Sequence, residues 1–271
     1  MIASGELKTQ VLLERGAREK LRGLDGCLHG LLKGERGEVP LIPGRDVQIW
    51  PLRELPPKKG LSTVEGQARM LHDLASIELQ AMELGLRTLH EFPEAPGEFR
   101  EQLAVVTADE GRHFGLCLDA LDSVGVPWGS FPTHIRLWQS VSAEDSLLDR
   151  IVIVHRYLEG SGLDASDTLL RRLDSVKAPQ VLATAKMIRA DETGHVIFGG
   201  EWYRRIAVSE GLDPGADFGP RLLRLMDRIP RRLEPICRAT RLSAGFTDSE
   251  VDVLEDLRQR WQTGSGLAIH S

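Results

Sequence analysis

Two stretches of the sequence repeat the pattern Ala-Asp-Glu-x-x-His, one at residues 108–113 and the other at residues 190–195. On a helix, residues three apart lie on the same face, so the glutamate and the histidine of each stretch can reach one metal ion. A single Glu-x-x-His often arises by chance, whereas two on separate predicted helices indicate a duplicated metal-binding unit. The ligands predicted from these stretches are Glu110, His113, Glu192 and His195.

A centre with two metal ions inside a helical bundle also needs one carboxylate from each of the two other helices. Glu78 interrupts the apolar seam of the first predicted long helix, and Glu159 interrupts the seam of the third. Glu78 precedes Glu110 by 32 residues and Glu159 precedes Glu192 by 33, so both pairs have nearly the same separation. The complete predicted ligand set is Glu78, Glu110, His113, Glu159, Glu192 and His195.

The energetic cost of burying charged side chains bears on whether these six residues bind metal. A carboxylate in a helical core costs several kcal/mol unless a cation offsets its charge. Any one of the six residues alone could be a core residue that pairs with arginine or with the backbone. Six such residues together favour a metal centre, because six buried arginines beside them are not expected.

Other polar residues flank the predicted ligands. Asp109 and Asp191 directly precede the ligand glutamates, and each could accept the free ring N–H of a ligand histidine or be an exposed acid. His155 lies one turn before Glu159 and could support a ligand, be an extra ligand or be an ordinary core histidine. The two glycines that follow Glu159 weaken its helix, which predicts a local bulge of the kind seen at functional sites. These glycines are Gly160 and Gly162.

Four long helices are predicted to carry these residues. The second and third are joined by a longer connection, residues 125–134, whereas the first pair and the last pair are joined tightly. This order gives an up-down pair, a crossover and a second up-down pair, which is a four-helix bundle with a long crossover. The helices are predicted from a cap at Ser62 to Leu89, from Phe99 to Val124, from near Ser142, and from near Pro179.

Three segments make up the predicted organisation of this all-α protein, and they are expected to pack as one domain. Residues 1–60 form a lead-in whose second half is rich in proline and glycine, and residues 61–210 form the bundle. A C-terminal helical extension, residues 211–271, completes the chain. Its expected elements are one or two helices after the connecting segment 211–220, a capping box of Thr247 and Glu250, and a loose tail from Thr263.

Composition and charge narrow the classes of protein. Aromatic residues are scarce at 5%, which favours helices over sheets. The net charge of −6 argues against a protein that binds nucleic acid or membranes over its whole surface. Three scattered cysteines form no metal knuckle or disulfide framework, and no stretch is typical of a signal peptide or a membrane span. We therefore expect a cytoplasmic protein without membrane partners.

The segment 221–241 is positively charged, although the chain as a whole is negatively charged. Seven arginines against two acids give it a local charge of +5. An anionic substrate such as RNA is one expectation for this segment, and ion pairing with acids elsewhere in the protein is the other. The arginines are Arg221, Arg224, Arg228, Arg231, Arg232, Arg238 and Arg241, and the acids are Asp227 and Glu234.

The order Glu, Glu-x-x-His, Glu, Glu-x-x-His of the six predicted ligands resembles the ferritin-like di-iron superfamily. Residues 109–113 are also similar to the D-E-x-R-H motif of bacterial di-iron monooxygenases. The sequences IELQAMEL at 77–84, GLD at 162–164 and AGFTDSEVDVL at 244–254 resemble the family known as domain of unknown function 455, over most of the chain. A ferritin-like tRNA-modifying hydroxylase is a more distant relative by pattern. The resemblance implies the fold and the ligands, and no particular activity.

The donor types indicate which chemistry to expect. Four carboxylates and two imidazoles suit iron or manganese, so we expect two metal ions, both iron or with manganese in their place. Such a pair can reduce dioxygen or peroxide, which favours oxidation or hydroxylation of a small molecule or RNA. Electrons would come from an external donor, since three cysteines cannot form the four-cysteine iron site of rubrerythrin-like peroxidases. The alternative is a metal-binding or iron-handling protein without turnover, and a homodimer remains open.

Overall fold

The computed structural model describes residues 10–176, 178–231 and 235–263, and these residues form helices and no β-strand. The predicted all-α class is therefore confirmed. The first nine residues of the predicted lead-in and the predicted tail after Thr263 lie outside the described residues. Across the described residues, every helix is too short or too polar to cross a membrane.

Nine α-helices and one π-helix account for most of the described residues. The segment between the first two α-helices is irregular apart from one 3₁₀ turn, Leu52–Glu54, as its prolines and glycines predict. A π-helix, Val152–Leu158, directly joins α4 to α5. The α-helices are α1 Ala17–Leu32, α2 Val64–Glu91, α3 Gly97–Ser123, α4 Leu147–Ile151, α5 Glu159–Ser175, α6 Pro179–Ser209, α7 Pro214–Leu225, α8 Arg238–Ser243 and α9 Asp248–Thr263.

Several helix ends differ from the prediction. Ser62 is not the cap of α2, because the side chain of Thr63 accepts the hydrogen bond from the Gly66 amide. The third long helix does not begin near Ser142, because Ser146 forms the capping box that starts α4. The expected start at Pro179 is confirmed.

The segment predicted to connect α6 with the C-terminal helices is itself largely helical. Asp213 caps α7 by accepting a 2.7 Å hydrogen bond from the Ala216 amide, and Pro214 occupies the first helical position. The predicted capping box before α9 is confirmed, because Thr247 and Glu250 exchange side-chain to backbone hydrogen bonds of 2.8 and 3.2 Å.

The cap of α2 gives a direct test of the corrected helix start. Replacing Thr63 by alanine should lower the free energy of unfolding by about 1 kcal/mol, because the Gly66 amide loses its acceptor. Ser62→Ala is the matched control and should change stability by less than about 0.5 kcal/mol. Urea unfolding followed by circular dichroism measures both variants, and equal losses would contradict the assignment of the cap.

The helices group into two compact units, Met1–Gln139 with Leu170–Ile188 (unit 1) and Ser140–Leu169 with Arg189–Ser271 (unit 2). In unit 1, α2 packs along α3, and α1 packs against both helices. Gly85 permits a close approach of α2 and α3, because a Cβ atom there would overlap the Thr107 side chain. The close approach fixes the register between the two helices.

A buried ion cluster holds the lead-in of unit 1 to α2. The Glu83 carboxylate is fully buried and accepts hydrogen bonds from both terminal nitrogens of Arg45. Lys20 of α1 is 1% exposed, and its Nζ lies 2.9 Å from Glu83 Oε1. The pKa of Lys20 is lowered by burial, and the Glu83 charge opposes that shift. This carboxylate thus ties α1 and the irregular segment to α2.

A second buried polar group, His72, holds the loop after α3. Its ring stacks on Trp128 with 4.4 Å between centroids, and its Nε2 accepts a 3.0 Å hydrogen bond from the Gly129 amide. Burial lowers the pKa of His72 to about 4, against the raising effect of Asp73 and with a smaller lowering by Arg69. His72 is therefore neutral at physiological pH in the folded protein.

The lowered pKa makes stability depend on pH in a defined window. Because the unfolded histidine binds its proton near pH 6.5 and the folded one near pH 4, stability should fall as the pH drops between these values. The loss from His72 should be about 2 to 3 kcal/mol, measured by urea unfolding at pH 7 and pH 4. His72→Phe should lose less stability over this interval, and His29→Phe, at an exposed site, should behave like wild type. If His72→Phe lost as much unfolding free energy as wild type between pH 7 and pH 4, the prediction would be contradicted.

Unit 2 is built around the π-helix and the C-terminal helices. Helix α7 packs on both the π-helix and α9, and α8 packs on α9. Arginines of the basic segment pair with acids inside this unit: Arg221 with Asp149 and Asp217, Arg228 with Asp145, Arg238 with Asp248, and Arg241 with Asp164.

Candidate metal centre

Helices α2 and α3 bring three of the predicted ligands together in unit 1. Glu78 is 4% exposed, Glu110 2% and His113 0%. One ligand atom of each residue lies within 4.8 Å of the others. Two carboxylates and one imidazole therefore converge on one buried point, as the spacing of the Glu-x-x-His stretch predicts.

The distances within this triad suit ligands of one ion. His113 Nδ1 lies 3.5 Å from Glu78 Oε2 and 3.6 Å from Glu110 Oε2. These separations are long for hydrogen bonds. Two ligand atoms about 2.1 Å from one ion at a tetrahedral angle would be about 3.4 Å apart. Both carboxylates thus face the same ring nitrogen at a separation that a metal ion would impose.

The buried thiol of Cys117 interacts electrostatically with Glu78 of this triad. Cys117 lies one turn after His113 on α3 and is fully buried. Burial raises the pKa of the Cys117 thiol well above its usual range, and the negative charge of Glu78 raises it further. Cys117 is not among the residues whose ligand atoms converge in this triad, so it is not added to the ligand set.

Unit 2 holds a matching triad from α5 and α6. Glu159 is partly buried, whereas Glu192 and His195 are 6% and 3% exposed. One ligand atom of each lies within 4.8 Å of the others, and His195 Nδ1 is 3.9 Å from Glu192 Oε1. The two Glu-x-x-His stretches therefore occupy equivalent positions, each with a lone glutamate from the preceding long helix.

The backbone beside Glu159 departs from α-helical geometry. The seven residues Val152–Leu158 form a π-helix, and Glu159 is the first residue of α5 after it. The bulge predicted beside Glu159 is thus confirmed, although it precedes the glutamate while the predicted glycines, Gly160 and Gly162, follow it. π-Helices are rare and occur frequently at functional sites. This one sets the direction in which the Glu159 side chain leaves the helix.

The remaining predicted site residues surround the triads. Asp109 pairs with Arg112 at 3.0 Å and is partly exposed, and Asp191 is half-buried on α6. His155 is buried and meets the Phe198 ring edge-on, with 5.1 Å between centroids. The alternative roles predicted for these three residues stay predictions.

Two buried arginines lie close to Glu159, and the sequence did not predict this position for either, although Arg241 was named in the basic segment. Arg156 lies in the π-helix and pairs with Glu250 at 2.7 Å. Arg241 pairs with Asp164 at the same distance. Both guanidinium groups therefore have carboxylate partners outside the triads. The signal that could have revealed them is Gly160, which stands where any larger residue would collide with Arg241.

Comparisons with known proteins add the family context. Residues 7–252 match the family described as "Protein of unknown function (DUF455)". An uncharacterised protein from Haemophilus influenzae (strain ATCC 51907 / DSM 11121 / KW20 / Rd) is 31% identical over 233 residues, and the match covers 81% of this chain and 80% of that protein. No solved structure matches the chain. The matched range contains both triads.

Proposed function

We propose that this chain, which belongs to the DUF455 family of proteins of unknown function, is a ferritin-like two-metal protein that oxidises or hydroxylates a substrate with dioxygen or peroxide. In this proposal α2, α3, α5 and α6 are the four helices of the bundle, and each triad holds one metal ion. The observation that carries the proposal is the recurrence of one buried arrangement, a lone glutamate with a Glu-x-x-His, in both units.

Charge supports a metal in each triad. Two carboxylates whose oxygens lie within 4.8 Å of each other repel strongly when they are buried, unless a cation lies between them. The buried arginines Arg156 and Arg241 are paired with Glu250 and Asp164. A divalent ion in each triad would offset this repulsion, and the oxygen and nitrogen donors suit iron or manganese.

The residues of the chain would hold and isolate this centre. Glu78, Glu110 and His113 would hold one ion, and Glu159, Glu192 and His195 would hold the other. Two such ions, when bound, supply the electrons that reduce dioxygen or peroxide. Burial of the triads keeps bulk water away from the ligands, which strengthens every charge interaction there.

The partners proposed for this activity follow from what the chain contains. Three cysteines, buried or half-buried and unpaired, do not provide an internal iron site for electron delivery, so an external donor is proposed. Free thiols fit a reducing compartment, so we keep the cytoplasm as the proposed location. The ion pairs of Arg221, Arg228, Arg238 and Arg241 offset much of the local positive charge, so RNA is not part of the proposal.

The test is to load the full chain anaerobically with ferrous iron, count metal ions by mass spectrometry and then admit air. About two iron ions per chain, with uptake of dioxygen and growth of a ferric absorption band, would support the proposal. Protein loaded with zinc is the control, because zinc has no redox chemistry and should take up no dioxygen.

The alternative function is metal binding or iron handling without turnover. Iron that binds at the same stoichiometry and leaves dioxygen untouched would favour this alternative. Folded protein that binds neither iron nor manganese would contradict both, and the buried carboxylates would then need another account.

A further inference from the structure

We infer that Arg241 is a positioning residue for Glu159, and that the C-terminal segment 244–250 serves to keep Arg241 in place. This inference rests on the proposed function, since it concerns a proposed metal ligand. It assigns a role to the motif AGFTDSE, which the proposed function leaves unexplained.

Arg241 connects the chain on both sides of Glu159. Its Nε and Nη2 donate to Asp164 Oδ2 at 3.1 and 2.7 Å, and its Nη1 donates to the Arg156 carbonyl at 3.2 Å. Arg156 lies three residues before Glu159 and Asp164 five residues after it. Arg241 is 2% exposed, so water does not compete for these bonds. One guanidinium thus joins the π-helix to α5 across the point where Glu159 leaves the backbone.

The bond to the Arg156 carbonyl matters because of the local backbone. A π-helix has poorer intrinsic stability than an α-helix and persists where other contacts favour it. The carbonyl of Arg156 lies inside the π-helix, and a charged donor there gives a hydrogen bond stronger than a neutral one. Arg241 therefore stabilises the geometry that directs Glu159.

Gly160 provides independent support for this contact. A Cβ atom at residue 160 would overlap Arg241 Nη1 and come within 3.3 Å of the Phe246 ring. The position beside the proposed ligand is thus occupied by a residue that leaves room for the guanidinium. Two residues further on, a Cβ atom at Gly162 would meet nothing within 4 Å.

The segment 244–250 supplies the surroundings of Arg241. The Phe246 ring contacts two guanidinium groups, with its centroid 3.5 Å from Arg156 Cζ and 4.8 Å from Arg241 Cζ. Glu250 pairs with Arg156 at 2.7 Å, and the Gly245 carbonyl accepts a hydrogen bond from Arg204. Gly245 has φ of +77°, which a glycine adopts without strain. These contacts hold two like charges beside the π-helix and keep Arg241 aimed at it.

The test uses Co²⁺ as the probe, because its visible absorption reports the number and geometry of its ligands. Full-length Arg241→Met, loaded anaerobically, should bind one of the two ions about 10- to 100-fold more weakly and show an altered Co²⁺ spectrum. Arg238→Met is the matched control: it removes an arginine from the same helix, where the side chain pairs with Asp248 and Asp252. This control should keep the wild-type spectrum and affinity.

A second pair of variants tests the same inference with every polar group retained. Gly160→Ala should displace Arg241 and reproduce the altered spectrum, whereas Gly162→Ala should not. If Arg241→Met does not fold, the comparison of Gly160→Ala with Gly162→Ala decides whether the inference holds. Wild-type affinity and spectrum in folded Gly160→Ala and Arg241→Met would overturn the inference alone. Wild-type protein that binds no Co²⁺ would overturn the proposed function, and the inference with it.

Discussion

Replacing Glu110 by alanine should reduce bound iron from about two ions per chain to about one, because the ion of the first triad loses a ligand. The glutamate lies in the first triad with a carboxylate oxygen 3.6 Å from His113 Nδ1, and it is almost fully buried. Its loss removes one proposed ligand from the first triad. Metal content by mass spectrometry after anaerobic loading measures the effect.

The matched control for this substitution is Glu101→Ala. Glu101 lies on the same helix and is exposed, so its removal changes the net charge equally without touching the triad. It should retain the metal content of wild type. Thermal unfolding with and without iron adds a second readout, because an ion that binds only the folded state stabilises it. Equal iron content in the two variants would contradict the assignment of Glu110 as a ligand.

Replacing Glu83 by alanine should cost about 3 to 5 kcal/mol of folding free energy, the largest loss expected for a residue away from the triads. Lys20 and Arg45 would then share a buried space without their carboxylate. Because burial already lowers the pKa of Lys20, the variant should regain part of its stability as the pH rises and this lysine becomes neutral. Urea unfolding at neutral and alkaline pH measures both effects.

Glu65→Ala is the control for this ion cluster. Glu65 lies on the same helix and pairs with Lys59, but its side chain is 53% exposed, so its loss should cost less than about 1 kcal/mol. A Glu83→Ala variant as stable as Glu65→Ala would show that Lys20 and Arg45 find other partners or reach water.

Local sequence signals predicted many of the helix ends correctly. Pro179 begins α6, and Thr247 with Glu250 caps α9, because each signal acts over a few residues of chain. The cap of α2 was wrong by one residue, since Ser62 and Thr63 are adjacent and both can cap. Asp213 and Pro214 resemble a linker in composition yet start a helix. The resemblance to domain of unknown function 455 is confirmed.

Features that depend on distant partners could not be predicted. The ion cluster joins residues 20, 45 and 83, and nothing in their spacing indicates that they meet. The third long helix begins later than expected, after the Ser146 capping box, and the neighbouring Asp145 pairs with Arg228, which lies 83 residues away. The convergence of the glutamates and histidines in each triad could be predicted because each triad contains a local repeat, although the π-helix before Glu159 could be predicted only as a bulge.

The ion cluster of unit 1 also bears on how the chain is made. During synthesis the N-terminal residues leave the ribosome first, so Lys20 and Arg45 are already outside when Glu83 emerges. Both side chains can remain hydrated, with no desolvation penalty, until Glu83 has been synthesised. The three charged groups then become buried together. A shortened gene that starts at α2 would produce Glu83 with neither partner, so residue 61 is a poor place to cut the protein for expression.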